Sequence, residues 1–426
     1  MLLYILLFGI ILSLYLSRAN YKRGVFLLPM LVLILEIGKS LSITLFVKEG
    51  YNGFIFIILF IYVLKYFILT KKNKRAQMDN KLLKMIYLAL IIYLFFRVDL
   101  SLDNIFNMIS RFGTFALIFL MFFVGYRRIN NIQQLYLINR YFLFAVIIYI
   151  SITVIFSILR TGPSAYREGY ITGPTQFQLY FAVLPIVLAL LLSVINNAKD
   201  NIYSIKRNYL KYIFVLSVII VTLSLMRTTW LMTIVGFIAV LFFIKKNRWS
   251  RRLIFSTSSV FAIIVIFVLN SNVLDARASS FNENYDVEGE GRLVEFVLVN
   301  ERLISEKSLM FGVGDLFNAR GKYGFKRNDR ALHGAYSNII FGSGYIGLAL
   351  VFLFFLIVML NYLKIRTKNY LVNIMKTTGI GLVLGQMVAF FSANTTYGYG
   401  IAFFVLTFFY SGALLRLSLK YKNEPS

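Results

Sequence analysis

GRLVEFVLVNERLISEKSLMFGVGDLFNARGKYGFKRNDRALHGAYSNIIFGSGYIGLALVF, residues 291–352, passes from a polar, charge-rich segment into an uninterrupted apolar run. The polar part holds the chain's one histidine, His333, a few residues before the apolar run begins. A run of that length and character reads as a membrane-spanning helix. The stretch therefore reads as the junction between an aqueous loop and the bilayer, and the rest of the chain can be laid out from it.

Outside this stretch the chain is mostly hydrocarbon-compatible. Of its 426 residues 59% are hydrophobic and 15% charged, against roughly 25% charged in a soluble domain. Apolar runs recur near residues 2–16, 24–37, 53–70, 85–96, 112–125, 141–159, 177–195, 212–226, 229–244, 253–269, 337–363, 373–392 and 401–418. Only helices satisfy their own backbone in lipid over runs this long and apolar. The expected fold is an all-α polytopic membrane protein with about 12–13 spans and one large extracytoplasmic loop. Its divisions are residues 1–269 (about ten spans), a loop at 270–336, a C-terminal set of spans at 337–418 and a cytoplasmic tail at 419–426.

The charge of +27 is placed in alternate loops. Arg18, Lys22 and Arg23 follow the first run, Lys71, Lys72, Lys74 and Arg75 the third, and Arg127 and Arg128 the fifth. Lys206, Arg207 and Lys211, the stretch 245–252, Lys364, Arg366 and Lys368, and finally Lys420 and Lys422 continue the series. This is the positive-inside pattern, so these loops are expected in the cytoplasm beside anionic lipid headgroups. No basic residue precedes the first run, which fits a first span with its N-terminus outside. Nucleic acid is not an expected partner, because no soluble basic domain exists to bind it. Without cysteine, disulfides and thiol chemistry are excluded. Lys65, inside the third run, reads as a lysine that snorkels to the aqueous edge.

The loop at 270–335 holds ten of the eighteen acidic residues against nine basic ones. Within it, Leu293, Phe296, Val297, Val299, Leu303 and Ile304 can share one side of a helix lying on the membrane surface. Asp286, Glu288 and Glu290 read as a solvated acidic turn. With a single histidine, no cysteine and no other carboxylate cluster, no metal site is expected. Gly342, Gly344 and Gly347 match GxGxxG, but no strand precedes them and they enter a membrane helix. They read as small residues for close helix packing.

Three outward arginines stand against the positive-inside trend. Arg167 lies before the seventh run and is followed by Gly169, Gly173 and Pro174; Arg227 lies between the eighth and ninth; Arg292 opens the quoted stretch. Each alone is ordinarily a salt bridge or headgroup contact. Three together with a histidine point to an anionic substrate, since guanidinium binds phosphate by paired hydrogen bonds and stays charged in a partly dry site. His333 is the natural general base for a hydroxyl acceptor. Glu295 or another loop acid is a candidate for orienting His333 or an acceptor sugar.

Arg167 with its following glycines and Pro174, Arg227, Gly291-Arg292, FGVG at 311–314, His333 and the entry SGYIGL, in that order, resemble the O-antigen ligase and O-antigen polymerase group of bacterial membrane glycosyltransferases. The resemblance covers roughly residues 160–360. Two positions depart from it: Met226 and Thr228 flank Arg227 where the family often has Ser and Gly, and Gly334 follows His333 where it often has Asn. The nearest following asparagine is Asn338.

The resemblance implies a donor glycan on a polyprenyl (undecaprenyl) diphosphate, transferred at the outer face of the cytoplasmic membrane without metal, nucleotide or other cofactor. Arg167, Arg227 and Arg292 would bind the diphosphate and His333 would be catalytic. Polymerisation of surface-polysaccharide repeats is the expected reaction, with ligation to a different lipid or cell-wall acceptor as the alternative and a flippase as the more distant one. Partners implied are the donor, a glycan or lipid acceptor, membrane lipids and a regulator of chain length.

Overall fold

Apolar residues on every side of a helix leave it no aqueous face, and the helices here follow that rule. The computed structural model describes residues 28–29, 31–33, 48–65, 81–98, 105–159, 207–223, 234–235, 238, 291–314, 316, 332, 334–392 and 401–423. Among them the regular elements are all helical: α1 (Lys48–Val63), α2 (Lys81–Phe95), α3 (Ile105–Arg128), α4 (Ile132–Leu159), α5 (Arg207–Leu223), α6 (Gly291–Ser305), α7 (Ala335–Leu363), α8 (Tyr370–Ser392) and α9 (Ile401–Tyr421). The protein is an all-α membrane protein. The helices Ile132–Ile152, Ala335–Leu363 and Tyr370–Phe391 are each long and apolar enough to cross a bilayer. The runs expected at 2–16, 177–195 and 253–269 lie outside the described residues.

In α2, Leu83, Ile86, Leu90 and Leu94 are buried while Leu82, Met85, Leu88, Ile92 and Phe95 are exposed. In α5, Leu210, Ile213, Phe214, Ser217 and Val221 face inward while Tyr212, Val215 and Leu216 are exposed. Each helix thus turns one apolar face to the protein and another outward, as lipid-facing helices do.

The bundle centres on α3 and α9. Phe119 meets Phe408, Tyr126 lies under the guanidinium of Arg416, and Lys420 donates to the carbonyl of Asn130. This near-constant offset means the two helices run parallel, side by side. They approach closely because Gly125 and Gly412 have no Cβ: one there would strike the Phe409 and Phe122 carbonyls respectively. A phenylalanine cluster of Phe119, Phe354, Phe355, Phe390 and Phe408 joins α3, α7, α8 and α9. Tyr410 of α9 reaches α4 through Asn139 and Phe142.

The two ends of the bundle differ in charge. At one end Lys420 is bonded to Asn130, Thr367 to the carbonyl of Lys422, and Lys376 to the carbonyl of Ile365. Arg127, Arg128, Lys364, Arg366 and Lys368 belong to that same end by sequence. The opposite end gathers Arg97, residues 308–314, Leu316 and the start of α7. Lys65, expected to reach water, is 7% exposed and buried against protein at the end of α1.

Candidate functional site

α7 begins two residues after His333, and it is not one continuous helix. Gly344 takes φ 65, ψ −167 and breaks it. Every described residue from Ala335 to Gly344 is buried, whereas Phe352, Leu353, Leu356, Leu360 and Leu363 are exposed further on. At 1.5 Å per residue the segment 345–363 spans about 28 Å, close to the ~30 Å hydrocarbon core. The segment 345–363 is thus long enough to cross by itself, while 335–344 is enclosed by protein.

A break in a membrane helix frees backbone groups that lipid cannot satisfy. Here four of them are taken up by residues 309–314. Val313 N–H donates to the Phe341 carbonyl (2.9 Å) and Gly314 N–H to that of Gly342 (3.0 Å). Tyr345 and Ile346 N–H groups donate to the carbonyls of Leu309 and Met310 (3.1 and 3.2 Å). The Ser343 carbonyl accepts from the Tyr93 hydroxyl at 2.8 Å. Gly312, at φ 70, lies so close that a Cβ would stand 2.5 Å from the Gly344 nitrogen. The motif FGVG is thus a strap spliced onto the broken helix. Gly344, expected to admit a neighbouring helix, instead admits this strap, and Gly342 admits Leu316 just beyond it; Gly347 faces Ser343 of its own helix and Leu94 of α2.

Arg97, at the end of α2, fixes the strap from the other side. Its Nη2 donates to the carbonyls of Phe311 (2.6 Å) and Gly312 (2.9 Å), and its own carbonyl accepts from Leu316 N–H at 3.0 Å. The sequence reading passed over Arg97, although it is an arginine at a span end like the three it singled out.

α6 docks on the start of α7 through a second small core of Val299, Leu303, Leu332, Ile340 and Phe341, with Tyr345 packed beside it. The Tyr345 hydroxyl donates to Asn300 Oδ1 at 2.7 Å. The helix expected within this loop is present, but its inner face is Glu295, Val299 and Leu303, a strict four-residue repeat. Val297 and Ile304, expected on the apolar face, are 52% and 63% exposed. The face rotates because Glu295 has a partner: its Oε1 accepts the N–H of Gly334 at 3.1 Å. Asn338 completes the arrangement, its Nδ2 donating to the carbonyls of Leu332 (3.2 Å) and Gly334 (3.0 Å). Gly334 is confined as well, since a Cβ would lie 2.8 Å from the Phe391 carbonyl.

Of the expected site residues, Arg167, Arg227 and His333 lie outside the described residues, as do Asp286, Glu288 and Glu290. Arg292 occupies the first turn of α6, three positions before Glu295. The residues on either side of His333, Leu332 and Gly334, are described, and α6 and α7 hold both.

Residues 212–352, about a third of the chain, match the family described as Wzy_C: O-Antigen ligase. The match runs from α5 through α6 and the strap into α7. It supports the O-antigen ligase and polymerase family. Members of that family are glycosyltransferase-like enzymes, ligases and polymerases. No curated protein matches the chain.

Proposed function

We propose that this chain polymerises lipid-linked oligosaccharide repeats into a surface polysaccharide, taking the donor from a polyprenyl diphosphate at the extracytoplasmic face. The family match supports glycosyl transfer of the O-antigen ligase and polymerase type. The observation that carries the finer reading is the anchoring of both neighbours of His333 at the end of the bundle opposite its basic loops. By the positive-inside rule that end faces outward, where activated sugars arrive on lipid carriers and nucleotide sugars do not.

In this reaction the acceptor hydroxyl oxygen attacks the anomeric carbon of the donor. The bond from that carbon to the diphosphate oxygen breaks, and the carrier diphosphate leaves with the electron pair. The acceptor proton passes to the His333 imidazole, a base whose ordinary pKa near 6.5 suits neutral pH. Arg167, Arg227 and Arg292 bind the diphosphate and stabilise the charge that develops on it. The carrier's hydrocarbon tail stays in lipid between the spans, which gives a membrane bundle its purpose in the chemistry.

The test uses purified protein in liposomes, with carrier-linked repeat supplied as both donor and acceptor. Elongation is expected, and its loss on His333→Ala at wild-type protein levels. No elongation by the wild-type protein would remove the polymerase reading. The family's description as O-antigen ligase favours ligation as the second reading, and transfer to an added lipid-core acceptor under the same conditions would establish it.

A further inference from the structure

We propose that Glu295 and Asn338 are positioning residues that fix His333 for its task, an inference that rests on reading His333 as the general base. Two peptide planes flank the Cα of residue 333. The plane before it contains the Leu332 carbonyl, held by Asn338 Nδ2 at 3.2 Å. The plane after it contains the Gly334 N–H, held by Glu295 Oε1 at 3.1 Å. A peptide unit is planar and stiff, so each of these bonds restrains the whole plane it is made to. The second Asn338 bond, to the Gly334 carbonyl at 3.0 Å, ties the same clasp to the first turn of α7.

The cost of this arrangement argues that it serves more than helix capping. Glu295 is 2% exposed and Asn338 1%, both beside a core that is otherwise apolar. Burying such groups is unfavourable unless they are hydrogen-bonded, as Glu295 Oε1 and Asn338 Nδ2 are here. A helix start needs only a Ser, Thr, Asp or Asn at its first position. Here that position is Gly334, in extended conformation with no side-chain cap. Its N–H is instead bonded by a residue 39 positions away. The remote bond does what a local cap cannot: it sets α6 in register with position 333. Arg292 sits on α6 three residues before Glu295, one helical turn away. The helix that carries a diphosphate-binding arginine is thereby fixed against the base.

The experiment measures kcat and KM of full-length variants in liposomes with carrier-linked repeat, beside their melting temperatures. Glu295→Ala is expected to lower kcat about 10–100-fold, the scale of a small misplacement of a catalytic group, with KM for the donor little changed. Glu295→Gln keeps an oxygen for the Gly334 N–H and should restore most of the activity. Asn338→Leu removes both donors at similar size and should lose kcat comparably; Asn338 Oδ1 makes no hydrogen bond, so no acceptor bond is sacrificed. Wild-type kcat in Glu295→Ala and in Asn338→Leu would overturn the proposal, as would a loss confined to KM. If Glu295→Ala fails to accumulate, the Glu295→Gln and Asn338→Leu pair decides alone: loss in Asn338→Leu with retention in Glu295→Gln supports the clasp, and wild-type activity in both overturns it. Full activity of His333→Ala would instead sink the reading of His333 as base.

Discussion

Replacing Arg97 by Met removes the guanidinium but keeps an unbranched chain of similar reach. The structure lets the cost be worked out. Nη2 donates to two carbonyls of the strap, at 2.6 and 2.9 Å. Hydrogen bonds to a charged donor contribute about 1.5–3 kcal/mol each. Arg97 is only half-buried, so water can partly replace it at those carbonyls, and about 2–4 kcal/mol for the pair is the reasonable figure. That corresponds to an opening equilibrium of the strap raised roughly 30- to 1,000-fold. Leu316 N–H bonds the backbone carbonyl of residue 97 and is unaffected directly. Hydrogen exchange read by mass spectrometry in detergent is the assay. Val313 and Gly314 amides, bonded to α7 carbonyls, should lose at least about tenfold in protection, while amides in 350–360 keep theirs. Arg97→Lys, a point charge without the planar fork, should fall between. Unchanged protection at Val313 and Gly314 in Arg97→Met would refute the view that Arg97 holds the strap.

Gly312→Ala should lower the melting temperature by the equivalent of at least about 1–2 kcal/mol, the cost of a left-handed backbone with a Cβ, because φ is 70 and the strap has no room there; a wild-type melting curve would contradict the splice. Gly412→Ala should push α9 from α3 and cost about 1–3 kcal/mol, read as reduced thermal stability in detergent, since its Cβ would meet the backbone of Phe122 and Tyr126. The chain has no cysteine, so single substitutions report sidedness: Ser305→Cys should react with a membrane-impermeant maleimide in intact spheroplasts and Lys368→Cys only after permeabilisation. The reverse result would place the α6 end in the cytoplasm and end the extracytoplasmic reading.

The helices were legible because each is set by a local signal, length of apolar run. The described run expected at 85–96 is α2, that at 112–125 is α3, and that at 337–363 is α7 beginning two residues earlier. The break in α7 was not legible. Gly342, Gly344 and Gly347 look the same whether a helix or a strap approaches them, and the strap is about thirty residues upstream. Glu295 was one of ten acids in its loop, and a count of apolar residues discards it. The repeat Glu295, Val299, Leu303 would have found the inner face of α6 had a polar residue been allowed a place on it. Asn338 was noticed only as an asparagine displaced from its familial position. The structure gives that displacement a use: one helical turn into α7, its amide reaches back to the carbonyls on both sides of His333.

Arg97 sharpens what an outward arginine means. By the criterion applied to Arg167, Arg227 and Arg292, a guanidinium at the outer end of a span, Arg97 qualifies equally. Its Nη2, however, donates to the Phe311 and Gly312 carbonyls, and so it holds backbone. Position in the topology is therefore insufficient to assign phosphate binding; what separates the two uses is whether a strained backbone nearby has unpaired carbonyls. Arg97 stands beside such a backbone, because the break at Gly344 draws a glycine-rich strap across the end of α2. Arg292 lies in the first turn of a regular helix, and one turn on, Glu295 of the same helix accepts the Gly334 N–H. Of the three arginines singled out by sequence, Arg292 is the one that lies on a described helix, and that helix is bonded to Gly334, the residue after His333.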